Sequence, residues 1–388
     1  MNPTPDVLIA GAGPAGLALA TALAKLGRRV TVFEQQPRAA VEDPADDGRE
    51  IALTHRARRV LQALGHWERL PEDEISLLVE ARVSSGTSPF VLPFEARAAG
   101  HDNLGWLVPN RLLRRAAWEA AAAEEGVSVV FETRVTGFER TAGTATLHFA
   151  DGREATAPLV VAADSRFSGL RRLGGIGADM LDFGRTAIVG PLAHERDHGG
   201  VAHECFRYGN TLATLPMTRS RSSAVVTLKS DEAPAWTALD DDTFARRVQA
   251  QLAGRLGAMS GAGARHAYPL VAVYAHRFAK PRFALVGDAA VGMHPVTAHG
   301  YNFGLYGVEV MAREIGASGD PGRESVLARY ADEHRRTTGP IYTGTNAVVR
   351  LFTDDRPPAR LLRGAVLRAA KALPPVTGFI RRQLTGSA

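Results

Sequence analysis

The 388-residue sequence predicts an α/β fold. It reads as a Rossmann-like nucleotide-binding domain built from separated segments, an inserted antiparallel β-sheet domain, and a C-terminal helical region. Three observations carry this. A short apolar run, Val7 to Ala10, leads into glycines spaced G-x-G-x-x-G and an Ala/Leu-rich helix, and the next apolar run ends on Glu34. A second unbroken apolar run, Leu159 to Ala163, reads as a strand buried on both faces. A third, Phe283 to Val286, closes on Gly287-Asp288 more than a hundred residues later, after a stretch rich in β-branched residues and turn signals.

Taken in order, Gly11 permits the tight turn off the first strand, Gly13 lets backbone approach a pyrophosphate, and Gly16 lets the helix pack close to the sheet. Pro14 and Ala15 open the helix, whose N-terminus favours an anion, and Glu34, followed by Gln35, is placed to accept from ribose hydroxyls. Asp47-Gly48-Arg49-Glu50-Ile51-Ala52-Leu53 then leads into a helix over 54–64, with Thr54 as N-cap. Residues 75–94 read as a strand pair, 111–125 as a helix ended by Gly126, and 127–131 as a strand. Residues 135–139 and 144–149 read as a meander turning at Asp151-Gly152. Between 177 and 274 we expect strands over 186–189, 204–208, 211–216 and 224–228, with a hairpin at Gly209-Asn210 and a helix over about 242–256. The expected division is 1–70, 100–176 and 275–340 for the nucleotide domain, 71–99 and 177–274 for the sheet domain, and 341–388 for the C-terminal region.

The net charge of +5 suits an anionic cofactor, and no nucleic-acid motif accompanies it. A single cysteine, Cys205, excludes an internal disulfide and fits a reducing cytoplasm. No secretory signal is expected ahead of the first strand. No apolar run reaches the roughly 18 residues that span a bilayer. There is no H-E-x-x-H, no Cys pair and no G-x-S-x-G, so no metal site and no nucleophile elbow are read. From Arg356 onward there are seven Arg or Lys and no acid. On a helix over about 359–373, Arg360, Arg363, Arg368 and Lys371 share one sector, and Leu362, Val366, Ala369 and Leu373 lie opposite. Such a helix either lies on an anionic bilayer or biosynthetic partner, or docks its apolar side on the domain.

Asp288, at the carboxyl edge of its strand, is placed to accept from sugar-alcohol hydroxyls. The loop from Met293 to Gly304 feeds another helix N-terminus. With the first motif and Asp164-Ser165-Arg166-Phe167-Ser168-Gly169-Leu170-Arg171, these residues resemble the flavin-dependent aromatic hydroxylases of the para-hydroxybenzoate hydroxylase type. Asp47–Leu53, Gly105-Trp106-Leu107-Val108-Pro109-Asn110 and Met293-His294-Pro295 are most similar to the ubiquinone-biosynthesis branch, above all its demethoxyubiquinol hydroxylases.

The resemblance implies FAD, with NADH or NADPH as electron donor, O2 as co-substrate and no separate nicotinamide domain. It implies hydroxylation of an electron-rich ring through a flavin C4a-hydroperoxide. It places Glu34 at the adenosine ribose, Arg49 and Arg111 near the phosphates or flavin, and Asp164 and Asp288 in the cofactor site. Pro295, Ala298, His299, Gly300, Tyr301 and Asn302 run along the isoalloxazine. His299 is the candidate proton-handling residue, since an imidazole titrates near neutrality. Tyr208, Leu215, Pro216 and Tyr301 are candidates for the pocket of a lipid-soluble aromatic substrate. Four departures stand out. Ser165 replaces a usual Gly, Ala298-His299 a usual Gly-Gln, Tyr301 a Leu, and Gly307 an Asp. Two other functions share the fold: hydroxylation of a soluble phenol or polyketide, and non-catalytic carriage of a prenyl group. A flavin halogenase lacks support, because no W-x-W occurs among Trp67, Trp106, Trp118 and Trp236.

Overall fold

The computed structural model describes residues 4–86, 90–206, 209–218, 220–297, 299–354, 356–372 and 386. Its centre is a six-stranded sheet in the order Ala279–Lys280, Phe283–Leu285, Leu159–Ala162, Val7–Ala10, Val30–Phe33, Val127–Val130. The last five run parallel, with Val7 opposite both Leu159 and Val30. The strands Val7–Ala10 and Leu159–Ala162 are buried along their whole length. Burial on both faces is what their unbroken apolar runs require. The helix Pro14–Ala24 covers one face and buries every residue from Gly16 to Leu23.

A second sheet holds nine strands, mostly antiparallel: Val291–Gly292, His266–Ala275, Ala178–His194, Arg221–Lys229, Thr211–Thr218, Val201–Phe206, Glu80–Ser85 and Val91–Glu95 in that order, with Met259–Gly261 beside Ala178–His194. Side-chain alternation gives this sheet two apolar faces. Ile188, Cys205, Leu212 and Val226 point to the side covered by the helix Asp241–Gln251, whose N-cap is Asp240. Ala202, Phe206 and Leu215 point to the other side, into a cluster with Leu107, Phe352 and Val296. A small sheet of Glu50–Leu53, Gly105–Pro109 and Ser76–Leu78 packs on that same side.

Most of the expected elements fall in place, but the strand pair expected over 75–94 is three strands, Ser76–Leu78 in the small sheet and Glu80–Ser85 with Val91–Glu95 in the large one, and the helix expected over about 242–256 ends at Gln251. The strand anticipated over 186–189 runs from Ala178 to His194, and His266–Ala275 pairs with it across most of its length. A continuous helix, Glu324–Thr353, crosses residue 340 although Pro340 lies inside it. The C-terminal helix Pro357–Ala372 is oriented differently from the sequence expectation. Arg363 is fully buried and donates through Nε to the Leu351 carbonyl (2.9 Å) and through Nη2 to the Asp354 carbonyl. Leu367 joins the cluster of Phe352, while Leu362 and Val366 face solvent. Two free carbonyls at the end of the preceding helix draw the guanidinium inward, which turns the Leu362 side out. Leu373 lies outside the described residues.

After Leu159–Ala162 the chain turns through Ser165, whose φ is +88°, a conformation that suits glycine. Replacing Ser165 with Gly should raise the free energy of unfolding by up to about 1 kcal/mol, read from denaturant curves of the two proteins.

Candidate functional site: the carboxyl edge of the parallel sheet

Four neighbouring parallel strands end at one edge, and each end carries a residue singled out from the sequence: Glu34, Gly11, Asp164 and Asp288. The chain leaves the first strand at Gly11 with φ +108°, and a Cβ there would stand 2.5 Å from the Ala163 carbonyl oxygen. A Cβ on Gly16 would stand 2.1 Å from the Gly11 oxygen. These two glycines are required by the fold itself.

Gly13 is different. Its backbone is ordinary (φ −72°, ψ 170°), and a Cβ built on it would meet nothing within 4 Å. Gly300, the first residue of the helix Gly300–Gly316, is likewise open. Neither helix has a side-chain N-cap or an acid in its first turn. The two N-terminal turns adjoin. A Cβ on Gly304 would be 3.7 Å from the Ala15 Cβ and 3.5 Å from the Gly287 Cα. Two adjacent helix N-termini, each starting at a glycine that the chain does not need for itself, form a cradle for an anionic ligand. The residues present therefore fit a flavin dinucleotide.

The other predicted residues make these contacts. The Glu34 carboxylate accepts from the backbone N–H of Ala12 (2.8 Å) and of Gln36 (2.9 Å), which ties it to the glycine loop, and Gln35 is exposed beside it. Asp164 accepts from the Ser168 hydroxyl and the Leu170 N–H (3.0 Å), so it caps the short helix Gly169–Leu173. Asp288 pairs with Arg166 at 2.8 Å, and Arg166 also donates to the Val271 carbonyl. Arg49 pairs with Asp47 at 2.6 Å and lies 5.2 Å from the Tyr268 ring. Burial raises the Asp47 pKa, but its bonds to Arg49 and Asn110 outweigh this and hold it below the usual value. Arg111 pairs with Glu74 at 3.0 Å.

Along the second loop, Pro295 opens a short turn and His299 is buried, its ring 5.2 Å from that of Phe303. Asn302 accepts from the Thr54 N–H (3.0 Å) and donates to the Ala52 carbonyl (2.8 Å), fastening this loop to the strand after Arg49. Among the described residues the buried Tyr301 hydroxyl has no hydrogen-bond partner, and burial raises its pKa. His294 is buried, its pKa pushed down to about 4 by burial and by Arg185, so it is neutral at physiological pH. Leu215 lies on the sheet face that holds Val296, whereas Pro216 alternates to the opposite face. Tyr208 and Ala298 lie outside the described residues.

Sequence reasoning did not single out Arg166 and Arg171 as site residues. Arg171 is fully buried and donates to the carbonyls of Ala289 (2.9 Å) and Arg166 (3.2 Å), stapling the Asp164 turn to the Gly287–Ala289 turn. The signal was present, because an arginine at the end of an apolar helix turn implies carbonyl partners. The partner that joins the two turns, Ala289, lies more than a hundred residues away.

Comparison with known proteins agrees with this geometry. The model of the FAD binding domain family matches residues 4–341. The chain is 43% identical to ubiquinone hydroxylase UbiM of Neisseria meningitidis, over 98% of this chain and 84% of that protein. It is 36% identical to ubiquinone hydroxylase UbiL of Rhodospirillum rubrum, over 98% of this chain and 90% of that one. Among solved structures, p-nitrophenol 4-monooxygenase PnpA of Pseudomonas putida DLL-E4 superposes with a TM-score of 0.76 at 18% identity, covering 99% of each chain.

The glycines separate ligand from fold in an experiment. Gly13→Ala should keep the wild-type melting temperature without cofactor yet purify with FAD depleted at least tenfold. Gly16→Ala should lower stability by 2 kcal/mol or more, on the order of an overpacked core. Absorbance at the flavin band and thermal unfolding read both.

Proposed function

Since the chain belongs to the FAD binding domain family, we propose that it is an FAD-dependent, NAD(P)H-using monooxygenase that hydroxylates a prenylated quinol of the demethoxyubiquinol type in ubiquinone biosynthesis. The observation that carries the proposal is the pair of adjoining helix N-termini beginning at the open glycines Gly13 and Gly300. The bound flavin supplies the oxygen-transfer chemistry. The chain supplies the rest. Gly11 to Gly16 and Glu34 hold the adenosine diphosphate end. Asp288, fixed by Arg166, would receive the sugar-alcohol side, and residues of the loop that begins at Pro295 and ends at Asn302 would hold the ring. His299 is the loop's proton-handling group in this proposal. The face of the large sheet carrying Phe206 and Leu215, together with Val296 and Ala52, excludes water from the aromatic substrate. The segments 1–70, 100–176 and 275–340 act as cofactor domain, 71–99 and 177–274 as substrate domain, and 341–388 as the outer helical region.

A lipid-soluble substrate also asks how the enzyme reaches it. No helix among the described residues is long and apolar enough to cross a membrane. The C-terminal helix instead turns Leu362 and Val366 to solvent beside exposed Arg360 and Arg368. In our proposal this mixed apolar and basic side rests on an anionic bilayer surface.

Purified protein should be yellow, and NAD(P)H consumption should accelerate severalfold when a short-chain demethoxyquinol is added. A colourless protein that takes up no FAD would instead support the prenyl carrier. Leu362→Ser with Val366→Ser should leave this activity on a soluble quinol unchanged but reduce flotation with anionic vesicles. Equal flotation of variant and parent would remove the membrane role.

A further inference from the structure

Within the second sheet, the strand Val201–Phe206 alternates Ala202 and Phe206 to the apolar face that meets Val296, and Cys205 to the opposite core. Glu204 falls between Ala202 and Phe206 and so lies on the Val296 face. Its lateral neighbours in register are small or apolar: Ala213 on one side and Val83 on the other. Two residues beyond Ala213 is Leu215, in the cluster with Val296. No hydrogen bond or ion pair engages the Glu204 carboxyl among the described residues.

The residue is half-buried, and desolvation alone lifts its pKa to about 8. A half-buried acid between Ala213 and Val83, on the face that carries Phe206 and Leu215, sits in an apolar setting and not on open polar surface. On its own strand and on the paired strand Glu80–Ser85, the charged and titratable side chains Glu80, Arg82 and His203 alternate to the opposite face. None of them perturbs Glu204, since burial is the whole cause of its shift. Arg363 is committed to two carbonyls and Arg185 to the Thr353 carbonyl. An unpaired carboxyl in an apolar recess costs stability, and such groups concentrate at functional sites.

We propose, building on the hydroxylase reading above, that Glu204 receives a ring hydroxyl of the aromatic substrate, accepting its hydrogen bond and then its proton, so that the site selects neutral phenols and quinols over rings bearing a carboxylate. In that step the hydroxyl O–H bond breaks and the proton passes to a carboxylate oxygen. The electron pair stays on the ring oxygen, enriching the ring for attack by an electrophile; no further reactant is needed. A base titrating near 8 is far stronger than an ordinary carboxylate and operates close to physiological pH. The same carboxylate repels an anionic ring substituent, and no charged group near it is placed to offset that repulsion.

The test titrates FAD-loaded enzyme with 2-methoxy-4-methylphenol and with 4-hydroxybenzoate, following flavin absorbance from about pH 6.5 to about pH 9. In the parent protein, phenol affinity should rise as the pH climbs toward about 8 and level off above it, because the ionised carboxylate is the stronger acceptor. Glu204→Gln should flatten that profile, weaken phenol binding about tenfold at the alkaline end, and tighten 4-hydroxybenzoate binding there. Glu204→Ala should behave like Glu204→Gln, and unchanged FAD content with a melting temperature at or above the parent's certifies both folds. Parental phenol affinity and pH profile in Glu204→Gln would overturn the role of Glu204 while leaving the hydroxylase standing. A parent protein that binds no phenol at any pH would overturn both.

Discussion

Backbone has to meet backbone at the carboxyl edge of the parallel sheet. A Cβ on Gly16 would collide with the Gly11 oxygen, and one on Gly11 with the Ala163 carbonyl. That lack of side-chain volume brings the start of the first helix against the end of the neighbouring strand. From it follows the approach of Ala15 to Gly287 and Gly304, which sets the second helix beside the first. Two partial positive charges then share one small region of the edge. Among the described residues no side chain caps either helix and no acid stands in either first turn, so this region favours an anion. Asp288 and Arg166 pair at 2.8 Å next to this region.

Much of this was readable in the sequence because it depends on short-range rules. The apolar runs at Val7–Ala10 and Leu159–Ala162, Thr54 accepting from the Ala57 N–H as N-cap, and Asp240 doing the same for Thr243 are all local. The elements that were missed are set by distant partners. Ala178–His194 is long because His266–Ala275 and Arg221–Lys229 flank it on both sides. Glu324–Thr353 runs through Pro340 because Tyr330, His334 and Thr338 pack inward and hold it. Gly307 belongs here too. A Cβ on it would stand 2.6 Å from the His334 ring, which bridges the Tyr330 hydroxyl and the Phe303 carbonyl at 3.1 Å each. The residue that departs from the family pattern at 307 is thus explained by a histidine 27 positions away that no local pattern connects to it.

The candidate site divides in the same way. Glycines and the carboxylates at strand ends were visible because their position relative to a strand is itself the signal. Asp164 looked equivalent to Glu34 and Asp288, yet its oxygens are spent on Ser168 and Leu170, which makes it a cap first. Glu204 gave no signal, since a single acid between Ala202 and Phe206 means nothing until register shows which face it shares.

Register also decides the outer helix. Read as an isolated amphipathic segment, 359–373 separates cleanly into a basic and an apolar side, and docking the apolar side would be the natural outcome. The chain does otherwise because Glu324–Thr353 ends with carbonyls that need donors, and Arg363 is within reach of two of them. A buried guanidinium satisfied by carbonyls costs less than orphaned carbonyls and a buried unpaired charge together. Once Arg363 and Leu367 are fixed inward, the helical period leaves Leu362 and Val366 outside, and the exposed apolar side of the helix is a consequence of how the preceding helix terminates.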